Sequence, residues 1–348
     1  MKQTKETISK RIFNSMFKTG TLTAFTLVGA GFVDSVIISR FLGIDAVAAA
    51  GLAYPLYSVA GIVYGCIGTG FKSMASQRIV RSDMEGFQRI YSVSILLSVL
   101  ISVILTALLI VLAGPMAFLL GARGESAGLL DLTKQYWIGL AIGLPALVLN
   151  VVLSTALHFD NGAKRVELAH ILSMAADVVL DFVAVLTGKG LFAVGLASSV
   201  SAYISLIVLC THFFSKENTL KLRFVKPQKG ELKELFHLGS ERVVARTLIF
   251  IRPLIINPLV LMLGGTPAMA ALSIRNSLMS FVSIPGYGIS DGVSVTADIA
   301  NNLKSRIELK ETGRLAHRYA AVFELIPSIL QSTARSDRTG IRTRTIFP

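Results

Sequence analysis

Long apolar runs, each about the length of a membrane-spanning helix, recur along the 348-residue chain. A helix needs roughly 20 apolar residues to cross the hydrocarbon core of a bilayer. Eight windows meet that requirement, and they cover residues 19–39, 47–70, 91–113, 136–157, 168–187, 191–213, 243–263 and 269–296. A ninth apolar run starts near His317 and reaches about Leu330. The pattern predicts several membrane-spanning segments.

The apolar runs favour helices over the strands of a membrane barrel. Barrel strands alternate apolar and polar positions over segments of about ten residues. The run from Ile95 to Leu112 shows no such alternation. We therefore predict an all-α, polytopic membrane helical bundle, with one complete six-helix bundle and a partial second bundle. The predicted parts are a six-span bundle (1–215), a cytoplasmic linker (216–237), a partial bundle of two or three spans (238–330) and an atypical polar tail (331–348).

Composition and charge support the membrane assignment. The chain is 53% hydrophobic and only 16% charged, whereas soluble domains are about a quarter charged. Its net charge is +13. With the N-terminus in the cytoplasm, the predicted inner segments carry 22 Lys and Arg, and the outer segments carry only Arg40, Arg123 and Lys189. Such a bias sets membrane orientation, so it predicts a multi-pass protein of the cytoplasmic membrane and argues against nucleic-acid binding.

An internal repeat is suggested by shifting the chain on itself. A shift of 222 residues places Gly43 on Gly265, Leu56 on Leu278 and other small or apolar residues on similar ones. Apolar sequence matches itself easily, so chance similarity is one explanation. Duplication is the other, and repeated halves are typical of secondary transporters.

Acidic residues inside the spans are the main candidates for chemistry, since ionisable groups within a membrane are costly and often functional. Asp34 lies in the first span, and Asp177 and Asp181 lie four residues apart in the fifth. That spacing puts the last two on one helix face, where they suit the exchange of a proton or another cation. The alternative is that each aspartate faces interfacial water near a helix end.

Other polar and special residues are less decisive. Asn150 and Ser198 either line a cavity or join helices by hydrogen bonds. Cys66 and Cys210 are interpreted as small apolar residues, and Tyr136 with Trp137 as an aromatic belt at the outer interface. The sequence contains no Walker A motif, no HExxH and no nucleophile elbow. We expect neither an enzyme nor a cofactor or bound metal.

Several segments resemble the multidrug and toxic compound extrusion (MATE) family of antiporters over roughly residues 10–330. The segments are FVDSVIISRFLGIDAVAAAGLAYPL, GTGFKSMASQ, LVLNVVLS, DVVLD and GLASSVSAYIS. The resemblance implies two six-span bundles that export cationic or amphipathic small molecules in exchange for protons or sodium ions. It also implies a coupling and substrate cavity, whose residues would be Asp34, Asn150, Asp177, Asp181 and Ser198.

The chain departs from the family pattern at several places. Asp177 stands where the family often has asparagine, Thr19 where many members have proline, and Ile249 where some place a coupling glutamate. About four spans of the second bundle are not found, so a truncated product without transport activity is one expectation. A lipid-linked oligosaccharide flippase of the same superfamily is another, and it would depend on Arg246, Arg252 and Arg275. The substrate, the coupling ion and the oligomeric state stay open.

Overall fold

The structure, a computed structural model, describes residues 8–122, 127–216, 218–223, 226–302 and 305–340. These residues form helices joined by short loops, without a strand among them. A 3₁₀ turn, Thr211–Phe214, follows α9. The helices are α1 (Ile8–Phe41), α2 (Ile44–Ala53), α3 (Pro55–Val80), α4 (Met84–Val111), α5 (Ala113–Leu119), α6 (Ala127–Ala141), α7 (Leu144–Phe159), α8 (Ala163–Leu186), α9 (Gly190–Cys210), α10 (Glu231–Val282), α11 (Ile284–Asn302) and α12 (Arg306–Gly340).

The predicted all-α membrane fold class is confirmed, and most of the predicted windows coincide with helices. The division into one complete and one partial bundle stays a prediction. In the described part of the chain, seven stretches are long and apolar enough to cross a membrane: Ile12–Phe41, Ile44–Ile79, Met84–Val111, Gly128–Phe159, Ala163–Leu186, Gly190–Phe214 and Thr247–Val282. The first six correspond to the first six windows. The seventh covers window 243–263 and the first half of window 269–296, whose second half lies in α11.

The chain divides into two compact units, each described by itself. One comprises Ala30–Ser277, and the other comprises Met1–Gly29 with Leu278–Pro348. In the latter, the rings of Phe17 and Tyr319 pack in a tilted arrangement with centroids 4.6 Å apart, and the Tyr319 hydroxyl donates to Asn14 Oδ1 at 2.9 Å. Helix α12 continues through residues 331–340, the first part of the predicted tail. The domain boundaries predicted from the sequence stay predictions.

Two glycines break the helices in the same way, 222 residues apart. Gly43, between α1 and α2, has φ 86° and ψ −178°. Gly265, inside α10, has φ 64° and ψ −163°. This backbone region is essentially restricted to glycine. Because the internal repeat pairs these two positions, their shared conformation supports a true duplication.

Two apolar clusters form the core of the unit Ala30–Ser277. One lies around α2 and α6, and the other around α3, α4 and α7. Trp137 belongs to the first cluster, where it is fully buried and its indole N–H donates to the Leu109 carbonyl at 3.2 Å. The predicted aromatic-belt position of Tyr136 and Trp137 is therefore wrong, because both side chains are buried between helices. Cys66 and Cys210 are both free thiols.

Helix α4 shows how the chain distributes its side chains between the interior and the surroundings. Ser94, Ser98 and Ser102, spaced by four residues, are buried. The opposite face carries exposed Leu100 and Ile104. Residues four apart lie on one helix face, so the small serines let neighbouring helices approach while the bulky aliphatic residues face outward, as expected in lipid.

The start of α4 is stabilised by Asp83. Its Oδ1 accepts from the Gly86 backbone N–H at 2.8 Å, and its Oδ2 accepts from Arg78 Nη1 at 2.8 Å. The Gly86 N–H first, and Arg78 second, hold the pKa of Asp83 below its ordinary value. Asp83 therefore caps the helix as a carboxylate.

We expect this cap to make stability depend on acid. Because the folded pKa is lowered, the contribution of Asp83 is complete above the ordinary carboxyl pKa of about 3.9 and is lost as the pH falls through the folded value. Asp83→Ala should lower the thermal midpoint at pH 7 and flatten its acid dependence between about pH 5 and 3. Thermal unfolding in detergent measures both. Glu85→Ala, at an exposed position in the same turn, is the control; equal acid dependence in Asp83→Ala and the unmodified chain would contradict the expectation.

Candidate functional site: a buried carboxylate cluster

Three aspartates from two helices meet inside the unit Ala30–Ser277. Asp34 comes from α1, and Asp177 and Asp181 come from successive turns of α8. One carboxylate oxygen from each lies within 4.8 Å of the others. All three side chains are buried, with Asp181 completely inaccessible. The fold thus brings together the three acidic residues that the sequence singled out.

The cluster has no protein partner for much of its charge. Asp34 Oδ1, Asp177 Oδ1 and both oxygens of Asp181 accept no hydrogen bond from any described residue. No Lys, Arg or His of the described ranges forms an ion pair with them. Three unpaired negative charges at this separation repel one another strongly in a low dielectric. The cluster must therefore take up positive charge, as protons or as a cation.

Hydroxyl groups of α9 lie beside this cluster. Ser201 Oγ donates to the Ser198 carbonyl at 2.8 Å, whereas Ser198 Oγ is buried and has no hydrogen-bond partner among the described residues. Ser173, one turn before Asp177 on α8, donates to the Ser201 carbonyl at 2.9 Å, so α8 and α9 are joined beside the carboxylates. Ser198 also lines a cavity of about 30 Å³, which is large enough for a water molecule.

Asn150 lies against the same part of α9. Its Nδ2 donates to the Ala202 carbonyl at 3.0 Å, and Ala202 directly follows Ser201. Its Oδ1 is buried and has no partner among the described residues. The amide therefore supplies a free acceptor close to the turn that carries Ser198 and Ser201. All five residues predicted for the cavity thus lie on α1, α7, α8 and α9 of one unit.

The oxygen atoms of this site limit what it can bind. Carboxylate, amide and hydroxyl oxygens suit protons and hard cations such as sodium, whereas transition metals prefer histidine or cysteine ligands. No histidine or cysteine of the described chain belongs to the cluster. The arrangement can bind and release a proton or a hard cation, and it can attract a positively charged organic molecule.

Two further residues of the site were missed in the sequence, although a signal for them exists. Ser173 precedes Asp177 by the same four residues that separate Asp177 from Asp181, so all three share one face of α8. Ser201 follows Ser198 by nearly one turn of α9. In contrast, Arg252 and Arg275 are exposed, and the side chain of Arg246 lies outside the described residues.

Fold and site together define the class of this protein: a polytopic helical membrane protein with an acidic, oxygen-lined cluster buried among its helices. The MatE family model matches residues 21–183, a range that contains Asp34, Asn150, Asp177 and Asp181. Over this stretch, a little under half of the chain, the sequence is similar to the MatE family.

Curated relatives and solved structures agree with this similarity. The chain is 26% identical over 252 residues to the multidrug export protein MepA of Staphylococcus saprophyticus, a match that covers 71% of this chain and 54% of the relative. It is 22% identical over 251 residues to MepA of Staphylococcus aureus strain MSSA476, with the same coverage. The chain therefore spans about half the length of these relatives.

Among solved structures, a ligand complex of the MATE multidrug transporter DinF-BH has a TM-score of 0.82 at 19% identity, and the match covers 98% of this chain and 79% of that one. An outward-facing MATE family transporter of the MOP superfamily has a TM-score of 0.78 at 21% identity, with 97% and 76% covered. At this level of identity the likeness concerns the fold.

Proposed function

We propose that this protein works in a secondary transport system that exports cationic or amphipathic compounds in exchange for protons or sodium ions. The observation that carries the proposal is the cluster of Asp34, Asp177 and Asp181, which is buried and unpaired by any described cation. A site with surplus negative charge binds a positively charged compound or its counter-ions, but not both fully at once. The names of the curated relatives point to the same activity.

Competition at the cluster provides the coupling. When protons or sodium ions neutralise the carboxylates, an organic cation loses its electrostatic attraction and dissociates. When the ions leave, the charge returns and the next cation binds. Exchange follows if the ion-bound transporter and the transporter that holds the organic cation open to opposite sides of the membrane. A ligand shifts such a conformational equilibrium by its differential affinity for the two states. The predicted orientation places the N-terminus and the linker in the cytoplasm.

The acidic cluster does not support the alternative of a lipid-linked oligosaccharide flippase. A pyrophosphate-linked lipid would need buried positive charge, whereas the buried cluster is acidic. Arg252 and Arg275, which that alternative requires, are exposed in the described structure. The acidic cluster favours a cationic substrate, although the particular compound stays open.

An efflux assay with separately imposed gradients tests the proposal. We expect inside-out vesicles containing the chain to accumulate the cationic dye ethidium when a proton or a sodium gradient is applied, and the accumulation to collapse when that gradient is dissipated. The effective gradient identifies the coupling ion. Vesicles with the Asp34→Asn/Asp181→Asn variant at equal abundance are the control. Equal dye uptake with and without both gradients would refute gradient-driven export.

A further inference from the structure

The described residues between α9 and α10 are bound to the helix ends that the charge bias predicts to be cytoplasmic. We call residues 218–223 and 226–231 the strap. By length and polarity this stretch is the natural place for a flexible connection. The hydrogen bonds of the strap instead hold it in place. They form three successive groups.

The first group holds Thr219. Its backbone N–H donates to Asp160 Oδ2 at 3.0 Å, and its hydroxyl donates to Asp160 Oδ1. Asp160 is itself buried at the end of α7 and is hydrogen bonded to His212 Nε2 at 2.8 Å. Arg165 contacts the other ring nitrogen of His212. The beginning of the strap is thus fixed to α7 and α8 through a connected polar network.

The second group holds the strap's backbone against α4. Gln88 donates from Nε2 to the Thr219 carbonyl at 2.7 Å and accepts from the Lys221 N–H at 2.7 Å. Ser92 Oγ accepts from the Arg223 N–H at 3.0 Å. Gln88 therefore pairs with the strap as a neighbouring strand would. Leu220, between these contacts, is buried in the core.

The third group holds the end of the strap and the start of α10. Glu231 is buried and accepts from Arg89 Nε at 3.0 Å and from the Gln228 N–H at 2.8 Å. Arg78 Nη2 lies 3.6 Å from the same carboxylate. These contacts join the strap to the end of α3 and the start of α4. A buried carboxylate with this many partners is costly to pull away.

The first turns of α10 then pack directly on α3. A Cβ added to Gly70 would overlap the Leu235 carbonyl oxygen, and a Cβ on Gly239 would overlap the Cys66 carbonyl oxygen. The two backbones therefore touch. Further along, α10 contains Pro253 and Pro258, and its backbone leaves the helical region at Gly265. Proline removes a helical hydrogen bond and is a common cause of helix bending.

We propose that residues 218–223 and 226–239 stay fixed to α3, α4 and α7 throughout the working cycle, and that the chain bends inside α10, between Pro253 and Gly265, instead of in the linker. The hydrogen bonds and the backbone packing described above support the inference that the strap is fixed. The role of the bend rests on the proposed transport function. The two parts are tested separately.

Trypsin tests the strap without any transport measurement. Cleavage after Lys221, an exposed residue, requires the strap to detach. We expect slow cleavage in the intact chain in detergent, unchanged by ethidium, and roughly tenfold faster cleavage in Gln88→Ala, which loses two hydrogen bonds to the strap. Gln135→Ala is the matched control, because Gln135 donates to Asp131 one turn away on its own helix and is far from the strap in sequence. Equal and rapid cleavage of all three chains would overturn the fixed strap.

Two reversible disulfides test where bending occurs, in a chain carrying Cys66→Ala and Cys210→Ala. Asp160→Cys/Thr219→Cys locks the strap, with Gln88→Cys/Lys221→Cys as a second lock. Ser35→Cys/Ser277→Cys locks α10 beyond its prolines, where the two serine hydroxyls lie 2.8 Å apart. We expect the strap locks to retain at least half of the export seen after reduction, and the Ser35–Ser277 lock to abolish it until reductant is added.

The possible results have distinct meanings. A strap lock that stops export, with recovery on reduction, would overturn the proposed bend in α10 because the linker would then have to move. Full export with the Ser35–Ser277 lock would overturn it as well. If the reduced parent chain moves no dye under any gradient, the proposed function and the bend fail together, while the trypsin rates still decide whether the strap is fixed.

Discussion

Asp34→Asn should abolish ion-driven export, reducing gradient-dependent ethidium transport at least 100-fold, to the level of empty vesicles. Asparagine keeps the size of the side chain but can neither carry the negative charge nor bind a coupling proton. Asp34 is the only carboxylate that α1 contributes to the cluster, so its loss removes the charge that links α1 to α8. Asp181→Asn should have the same effect, since both of its oxygens are buried and unpartnered among the described residues.

Stability separates this functional loss from misfolding. Removing an unpaired buried charge relieves repulsion, so Asp34→Asn should unfold at the same temperature as the unmodified chain or higher. Asp45→Asn makes the same chemical change at an exposed aspartate in the first turn of α2 and should transport normally. Undiminished export by Asp34→Asn and Asp181→Asn would remove the cluster from the mechanism.

Gly139→Leu should cause a large loss of stability, because the site lies where two helix backbones meet in the described core. A Cβ at Gly139 would lie 2.7 Å from the Phe192 carbonyl oxygen, and one at Gly195 would lie 2.8 Å from the Tyr136 carbonyl oxygen. The backbones of α6 and α9 therefore touch at a pair of glycines. A leucine must push the helices apart, which costs roughly 1–3 kcal/mol or more in a packed interior.

The matched control lies on the same helix. A Cβ at Gly128 meets nothing within 4 Å, so Gly128→Leu should be neutral or slightly stabilising, because leucine favours helices more than glycine does. The thermal midpoint in detergent and the yield of monodisperse protein compare the two variants. If Gly139→Leu were as stable as Gly128→Leu, the close approach of α6 and α9 would be wrong.

The sequence predicted the helices well because lipid leaves few alternatives. A long apolar run without alternation must satisfy its backbone internally, and a helix does so by itself. The division between windows 243–263 and 269–296 falls at Gly265, where the backbone of α10 leaves the helical region and two helices meet.

The candidate site was predictable in part. The four-residue spacing of Asp177 and Asp181 placed both on one face of α8 from helical geometry alone. Their approach to Asp34 was different, because it depends on how α1 packs beside α8, and only the family resemblance suggested it. Trp137 shows the opposite outcome. Its position near the end of a predicted apolar window suggested the membrane interface. In the structure, however, its indole N–H donates to the Leu109 carbonyl of another helix.

The strap was not predictable from residue patterns. Gln88 and Ser92 bind backbone groups at residues 219, 221 and 223, and every residue except proline offers the same N–H and carbonyl. Such recognition leaves no pairing of side-chain types in the sequence. The polar composition predicted a cytoplasmic linker, but it did not predict that the linker's backbone is hydrogen bonded to the helix ends.

Helix α4 inverts the arrangement found in proteins that fold in water, with serines inside and aliphatic side chains outside. A water-soluble version of this unit would therefore need a redesigned exterior, with Leu100 and Ile104 changed to charged residues, and an untouched interior. Replacing Ser94, Ser98 and Ser102 by leucine, as general rules for soluble cores suggest, would instead wedge the neighbouring helices apart.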